Sequence, residues 1–270
     1  MRSDRFRFPR PCSVLGLSLL LVLATACGGS GSGDQGEWTE VHQRLQTIGD
    51  HGVTAEDDVP FALDRLENGS ASERVVAAWA LGAIRHAGAE PKLRETLNDK
   101  DASVRSNVLG ALLELDPADW VELLARGLAD DDPFVKQSTL SRMPDPTPRA
   151  LIEPISALLV ESEDEPVRIG AADALGEARG DGVAEALVQG ADDVSKDVRV
   201  HVAFALGKIE DGAAIPVLAS LLEDESWEVR ANAVQALGKY REPDALEAVR
   251  SVLDDPNESV RAVAASIVGG

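Results

Sequence analysis

A repeat of about 31 residues runs through most of this chain of 270 residues and restricts it to an architecture of stacked, similar units. The tripeptide Ala-Leu-Gly recurs, and its central position defines one anchor in each unit. The anchors are evenly spaced, with a single extra residue in one interval, and they are Leu81, Leu112, Met143, Leu175, Leu206, Leu237 and Val268. Such regular spacing does not arise by chance. Each copy is therefore one structural unit that buries its apolar face against its neighbours.

Two further columns indicate that each unit begins with a helix. Eight residues before the anchors stand Glu73, Val104, Val135, Val167, Val198, Val229 and Val260, and each is followed by Arg or Lys. Three residues earlier stand Ser70, Asp101, Asp132, Asp164, Ser195, Ser226 and Asn257, all of them favoured N-cap residue types. We therefore expect a first helix of about 11 residues from each cap to the glycine of Ala-Leu-Gly, where glycine would relieve a left-handed backbone conformation.

A second amphipathic pattern follows in each unit, with apolar residues three or four apart, as at Ile215, Leu218, Leu221 and Leu222. Two short helices per unit, small Ala on the inner face and no strand signal resemble HEAT repeats of the short type found in phycobilisome lyases. The resemblance covers residues 38–270, with 38–48 and 59–66 as a divergent first pair. It implies an all-α fold, a right-handed α-α superhelix of seven to eight helix pairs whose final pair is incomplete.

The repeat is disturbed at residues 143–148, where three prolines stand in place of the Ala-Leu-Gly signature. Proline cannot continue a helix. Two interpretations are open: a rigid turn between two helices, or a kink that changes the curvature and divides the stack into two lobes.

An export signal precedes the repeat. Four Arg residues within the first ten positions lead into an apolar run over residues 14–26, which is shorter than the roughly 20 residues of a membrane span. The sequence Leu-Ala-Thr-Ala before Cys27 resembles a bacterial lipobox, which implies removal of residues 1–26 and lipid attachment at Cys27. Ordinary cleavage after Ala26 is the alternative.

The chain after Cys27 is expected to tether the repeat to a membrane. Residues 27–37 are rich in Gly and Ser and predict a flexible linker. We therefore expect an exported protein that is lipid-anchored to a bacterial cell membrane, the outer membrane if the host has one.

The net charge of −21 limits the range of partners. It becomes more negative without residues 1–26, which contain four Arg and one Asp. Such a surface repels nucleic acid and anionic lipid headgroups, so only a lipid anchor would hold the protein at a membrane. Protein partners remain, including partners with basic segments.

Acidic residues cluster in the same loop of successive units. The clusters are Asp130–Asp132, Glu161 with Glu163–Glu165, Asp192–Asp193, Glu223–Glu225 and Asp254–Asp255. They either cap helices and complement helix dipoles, or form a docking edge for cations or a basic partner.

No catalytic or metal-binding motif is found. The four His residues are followed by Gln, Gly, Ala and Val, so the His-Glu pairs of the HEAT-like deoxyhypusine hydroxylases are missing. We expect no catalytic residue, no metal and no cofactor, and therefore no enzyme. The prediction is a membrane-tethered scaffold for protein–protein interaction; the alternative is an accessory subunit or lyase-like enzyme that holds a cofactor or substrate in its groove.

Five residues are candidates for partner binding. Glu122, Glu185 and Glu247 share one position of the second helix, which in HEAT proteins usually lines the concave binding face; this implies an acidic groove for basic or polar segments, with a solvated helix face as the alternative. Trp79 with Val76, and Phe204 with His201, occupy first-helix columns that we expect to face solvent, although half-buried packing of the aromatic rings is the alternative.

Overall fold

The computed structural model describes residues 39–53, 55–180 and 182–269. The expected signal peptide (1–26), Cys27 and the tether (27–37) lie outside these ranges. Within them the helices are α1 (Glu40–His51), α2 (Asp58–Asn68), α3 (Ala71–Ala83), α4 (Glu90–Thr96), α5 (Ala102–Glu114), α6 (Trp120–Leu128), α7 (Pro133–Leu140), α8 (Ile152–Glu161), α9 (Glu165–Gly176), α10 (Val183–Val188), α11 (Lys196–Ile209), α12 (Ile215–Ser220), α13 (Trp227–Leu237), α14 (Pro243–Arg250) and α15 (Glu258–Gly269).

The chain forms two compact units, and the boundary between them lies between Trp120 and Val121. In the first unit α3 packs against α5, and the second helices α2 and α4 contact each other. In the second unit the first helices α9, α11, α13 and α15 pack in succession, and the second helices make their own contacts, α8 with α10 and α12 with α14. A single β-bridge between Thr147 and Ala178 is the one β feature of the described ranges. The fold is therefore all-α, of the α-α superhelix class.

The predicted register is confirmed by burial. The valine column is buried, with Val104, Val167, Val198, Val229 and Val260 all at 0% exposure. Five of the seven anchors, Leu81, Leu112, Leu175, Leu206 and Leu237, are also buried, whereas Met143 and Val268 are half-buried. Successive repeats therefore share one apolar interior within each of the two parts of the chain.

Helix caps follow the predicted column. Each of the seven cap residues directly precedes a first helix, and six of the seven side chains accept a hydrogen bond from a backbone N–H of the first turn. Ser226 is the exception, since its Oγ donates to Glu228 Oε2 at 2.6 Å instead. In the first complete repeat Glu73 replaces valine and accepts from Ser70 N at 2.7 Å, which closes a capping box.

The expected role of the Ala-Leu-Gly glycines was wrong. None of them has a positive φ; the left-handed residues after α3, α5 and α11 are Arg85, Asp116 and Glu210. A Cβ on Gly82 would lie 2.7 Å from Ala111 Cα, and one on Gly207 would lie 2.8 Å from Ala236 Cβ. Glycine is needed because the next first helix passes too close for any side chain. The other partner in each contact is the Ala that directly precedes the anchor Leu of the following repeat.

The disturbed segment 143–148 lies inside the second unit. The helix before it, α7, ends at Leu140, and the peptide bond between Asp145 and Pro146 is cis. Thr147 is buried, donates its Oγ1 to Ala174 O at 2.7 Å and its backbone N–H to Glu177 O at 3.2 Å. These bonds fasten the segment as a turn against the end of α9. A change in curvature there stays a prediction.

Candidate functional site

The basic column of the first helices forms a series of ion pairs that we call the Arg–Asp ladder. Four Arg residues of this column each bind an Asp that stands 25 residues later, in the loop after the second helix. In the described residues the pairs are Arg74–Asp99, Arg168–Asp193, Arg199–Asp224 and Arg230–Asp255, each with an Nε–Oδ2 distance of 2.7 or 2.8 Å. The second guanidinium nitrogen binds the other carboxylate oxygen at 2.9 to 3.1 Å. Such two-point pairs fix orientation as well as distance.

The ladder joins two successive loops. Arg199 Nη1 donates to Asp193 O at 2.8 Å, in the loop before its own helix. Its carboxylate partner Asp224 belongs to the following loop and also accepts from Ser226 N at 2.8 Å. The guanidinium therefore has hydrogen-bond partners on both sides, which is what a buried cation needs.

The pKa values of the ladder follow from these contacts. The hydrogen bond that Arg199 donates to Asp224 raises the pKa of Arg199 above its usual value, against the effect of burial. For Asp224, burial acts to raise the pKa, but the hydrogen bonds from Arg199 and from Ser226 N outweigh it, so that the pKa is lowered. Hydrogen bonding to Arg230 likewise lowers the pKa of Asp255. Both carboxylates are stabilised in their charged form.

Part of the acidic residues in these loops is therefore structural. Capping is confirmed for Asp132 and Asp164, and the ladder holds Asp193, Asp224 and Asp255. The sequence interpretation missed the ladder, although the constant offset between an Arg and an Asp was visible in the repeat. The loop acids that remain exposed are Asp131, Glu161, Glu163, Glu165, Asp192, Glu223, Glu225 and Asp254.

The predicted second-helix column is exposed throughout. Glu122 lies on α6, Glu185 on α10 and Glu247 on α14, and all three are exposed. Glu153 on α8 occupies the same position, ten residues after the anchor Met143, and is also exposed. The sequence interpretation missed Glu153 because the Ala-Leu-Gly signature is lost in that repeat, although the offset from the anchor would have identified it.

An open groove of about 510 Å³ lies between α8 and α10 in the second unit. Glu153, Glu161 and Glu185 line it, with Arg149, three residues before the start of α8, as the one cation among the lining residues. The other lining residues are uncharged: Ile152, Ser156, Ala157, Val160, Gly182, Ala186 and Gln189. The structure thus brings Glu185 together with Glu153, whereas Glu122 and Glu247 lie outside this groove.

A second, smaller cavity of about 320 Å³ adjoins the groove. Val160 and Gln189 line both cavities. Val194 lines the smaller cavity together with Asp192, next to the Arg168–Asp193 pair of the ladder. Val160 is 51% exposed and Val194 is 93% exposed, so both valines present apolar surface to solvent beside this cavity.

The two aromatic candidates have different environments. Trp79 is half-buried and its ring fills the space beside Gly49, where a Cβ would lie 2.2 Å from the ring. Val76, one turn earlier, is only 5% exposed, so the expectation that it faces solvent was wrong because α1 covers this face of α3. Phe204 is 46% exposed, with Lys239 Nζ 5.5 Å and Lys208 Nζ 5.8 Å from its ring centroid. His201 binds Asp173 at 2.7 Å.

No group of three or more His, Cys, Asp or Glu side chains in the described ranges is placed to hold a metal ion. None of the helices from α1 to α15 is long and apolar enough to cross a bilayer.

The chain belongs to the HEAT-repeat family. The family of HEAT repeats matches residues 59–143 and 184–268, more than half of the chain. The gap between the two matches contains the proline-rich turn and the helix α8 that forms one side of the groove. Comparison with curated proteins gives no match.

Solved structures of low sequence identity share the fold. The Escherichia coli protein YibA is 19% identical with a TM-score of 0.58, over 84% of this chain and 91% of that one. An engineered protein is 19% identical with a TM-score of 0.54, over 85% and 71% of the two chains. Human deoxyhypusine hydroxylase is 22% identical over 85% and 96%, with a TM-score of 0.43. At these identities the similarity to YibA and to the engineered protein shows the fold alone.

Proposed function

We propose that this protein is a scaffold for protein–protein interaction that binds a cationic segment of a partner in the groove between α8 and α10. The observation that carries the proposal is the convergence of Glu153, Glu161 and Glu185 on one open groove. The ladder acids are neutralised by their Arg partners, whereas Glu153 and Glu185 project from helices into this groove. A Lys or Arg side chain would complement them.

The energetics favour an extended contact. Each exposed ion pair contributes only about 0.2 to 1 kcal/mol, so one carboxylate alone would not hold a partner. Three carboxylates within one groove, in a chain of charge −21, also attract a basic partner and speed its association. Repeat helices provide a surface that is formed before binding, which lowers the cost of ordering.

Capture of crosslinked partners from cells tests whether the groove is the binding site. The full chain and the double variant Glu153→Gln/Glu185→Gln are expressed in cells, crosslinked and purified, and recovered partners are quantified by mass spectrometry. The matched control is Glu122→Gln/Glu247→Gln, which removes the same charge from the same helix position outside the groove. We expect the control to recover the same partners as the wild type and the groove variant to lose them. Equal recovery with both variants would contradict the proposal.

We further propose that the repeat, of the short phycobilisome-lyase-like type, is exported and held at a bacterial membrane by lipid on Cys27. The lipobox-like sequence before Cys27 and the Gly- and Ser-rich residues 28–36 support this. Metabolic labelling with a radioactive fatty acid should label the wild type and Cys12→Ser but not Cys27→Ser, which should also leave the membrane fraction. Label on Cys27→Ser would refute the anchor. The outer membrane is the proposed destination where the host has one.

A further inference from the structure

We infer that the cavity between Val160 and Val194 is an apolar subsite for the same partner segment that the acidic groove binds. The inference rests on the proposed function and specifies the partner. The partner segment would carry a Lys or Arg that binds in the groove. In the same extended stretch it would carry an apolar side chain, such as Leu, that binds in the subsite.

The first argument is that both valines are exceptions within the repeat. Val194 stands nineteen residues after its anchor, where the other repeats have Lys100, Asp131, Ser162, Glu225 and Pro256. Val160 stands seventeen residues after its anchor, where the other repeats have Asn98, Ala129, Asp192, Glu223 and Asp254. Neither position is otherwise occupied by a large apolar side chain. The two exceptions occur in successive repeats and line one cavity.

The second argument is the exposure of these side chains. Val194 at 93% and Val160 at 51% leave apolar surface in water on an otherwise charged edge. Covering such surface is favourable by roughly 25 cal/mol for each Å². An apolar side chain of a partner, placed between the two valines, would recover that free energy.

The third argument identifies the occupant by charge. Glu161 and Asp192 flank the two valines and are exposed. A second copy of this chain, with a net charge of −21, would meet these carboxylates with further negative charge. A basic segment with one apolar residue complements both the two exposed valines and the acidic side chains beside them.

The geometry of α8 gives the spacing within that segment. Glu153 and Val160 are seven residues apart on this helix, which corresponds to roughly 10 Å at 1.5 Å per residue. An extended peptide advances about 3.3 Å per residue. A peptide that lies along α8 would therefore carry its basic and apolar residues about three positions apart.

Fluorescence anisotropy of synthetic peptides tests the subsite with the purified full chain. The probe is a labelled decapeptide with one Arg and one Leu three positions apart in an Ala and Ser background. The two comparison peptides have Leu replaced by Ala, or Arg and Leu adjacent. We expect the probe to bind about tenfold more tightly than either.

Serine variants connect that preference to the two valines. Val160→Ser/Val194→Ser should weaken the probe about tenfold and leave the Ala peptide unchanged, because both valines are exposed and their replacement does not disturb the core. Val53→Ser, at a valine that is 53% exposed in the first unit, is the control and should have no effect.

The outcomes separate the two proposals. If Glu153→Gln/Glu185→Gln weakens the peptides and abolishes partner recovery but the serine variants bind the probe as the wild type does, the subsite is refuted and the scaffold proposal stands. If the glutamine variant changes neither, the groove is not the binding site and both proposals fail. No binding of the probe at millimolar concentration would also overturn the subsite.

Discussion

Arg199 and Asp224, 25 residues apart in the sequence, bind each other through two parallel contacts, Nε to Oδ2 at 2.7 Å and Nη2 to Oδ1 at 2.9 Å. Each of the two side chains is only 9% exposed. The same arrangement recurs at three other pairs of the described residues. The Arg residues of the ladder therefore connect successive loops. They are not residues that a partner would bind.

Removing one carboxylate of the ladder should destabilise the fold. Asp224→Ala leaves the guanidinium of Arg199 buried without its two-point carboxylate partner, and loss of one partner from a buried pair costs about 3 kcal/mol. Urea unfolding followed by circular dichroism measures the change. Glu223→Ala, at the exposed neighbouring position, is the control and should change the free energy of unfolding by less than about 0.5 kcal/mol. Equal effects of the two variants would show that Asp224 has no special role.

Acid should remove the contribution of the Arg–Asp ladder to the free energy of unfolding. The pKa values of Asp224 and Asp255 are lowered in the folded protein from an ordinary value of 3.8. A lowered folded pKa contributes stability that is fully present above the unfolded value and is lost as the pH falls through the folded value. The difference in urea midpoint between wild type and Asp224→Asn should therefore be constant from pH 7 to about pH 5 and shrink below about pH 4. A difference that stays constant down to pH 2.5 would contradict this.

Alkali should act through Tyr240, the only tyrosine of the chain. Its Oη donates to Leu206 O at 2.6 Å. Burial, reinforced by Asp211, Glu210 and Glu242, raises its pKa to about 12 from an ordinary 10.0. Because the pKa of Tyr240 is higher in the folded than in the unfolded protein, its contribution to stability is present below pH 10 and is lost as the pH rises through 12.

Two measurements test this effect of Tyr240. Absorbance of the phenolate at alkaline pH follows this single group directly, and its titration should shift down to about 10 in urea. Tyr240→Phe should lower the free energy of unfolding at pH 7 by about 1 kcal/mol and should be less sensitive to alkali than the wild type. A midpoint near 10 in the folded protein would refute the assignment.

The repeat made most of the fold predictable. Its regular spacing placed the valine column, the caps and the paired helices, because each is fixed by local chemistry that recurs in every copy. The local pattern could not tell what a helix meets in the folded chain. Val76 was expected in solvent because its column is mixed, yet α1 packs over it. Glu153 was overlooked because its repeat had lost the signature that defines the register.

The glycines show the same limit. Gly207 stands near the end of a first helix, and its position alone suggested a left-handed C-cap. The reason for glycine instead lies in the following repeat, at Ala236, whose Cβ would be 2.8 Å from an added Cβ. Only the crossing of two first helices reveals this requirement, and the crossing is a tertiary property.

Replacing this glycine should therefore destabilise the protein even though alanine is the better helix former. Gly207→Ala inserts a methyl group 2.9 Å from Ala236 Cα, which is backbone and cannot turn aside, so the free energy of unfolding should fall by about 1 to 3 kcal/mol. Gly269→Ala is the control: it is also helical, nothing lies within 4 Å of the added Cβ, and the change should be neutral or slightly stabilising. The double variant Gly207→Ala/Ala236→Gly should recover part of the loss, because it returns one methyl group of space to the crossing. If Gly207→Ala were as stable as the wild type in urea, the close approach of α11 and α13 would not be what selects glycine.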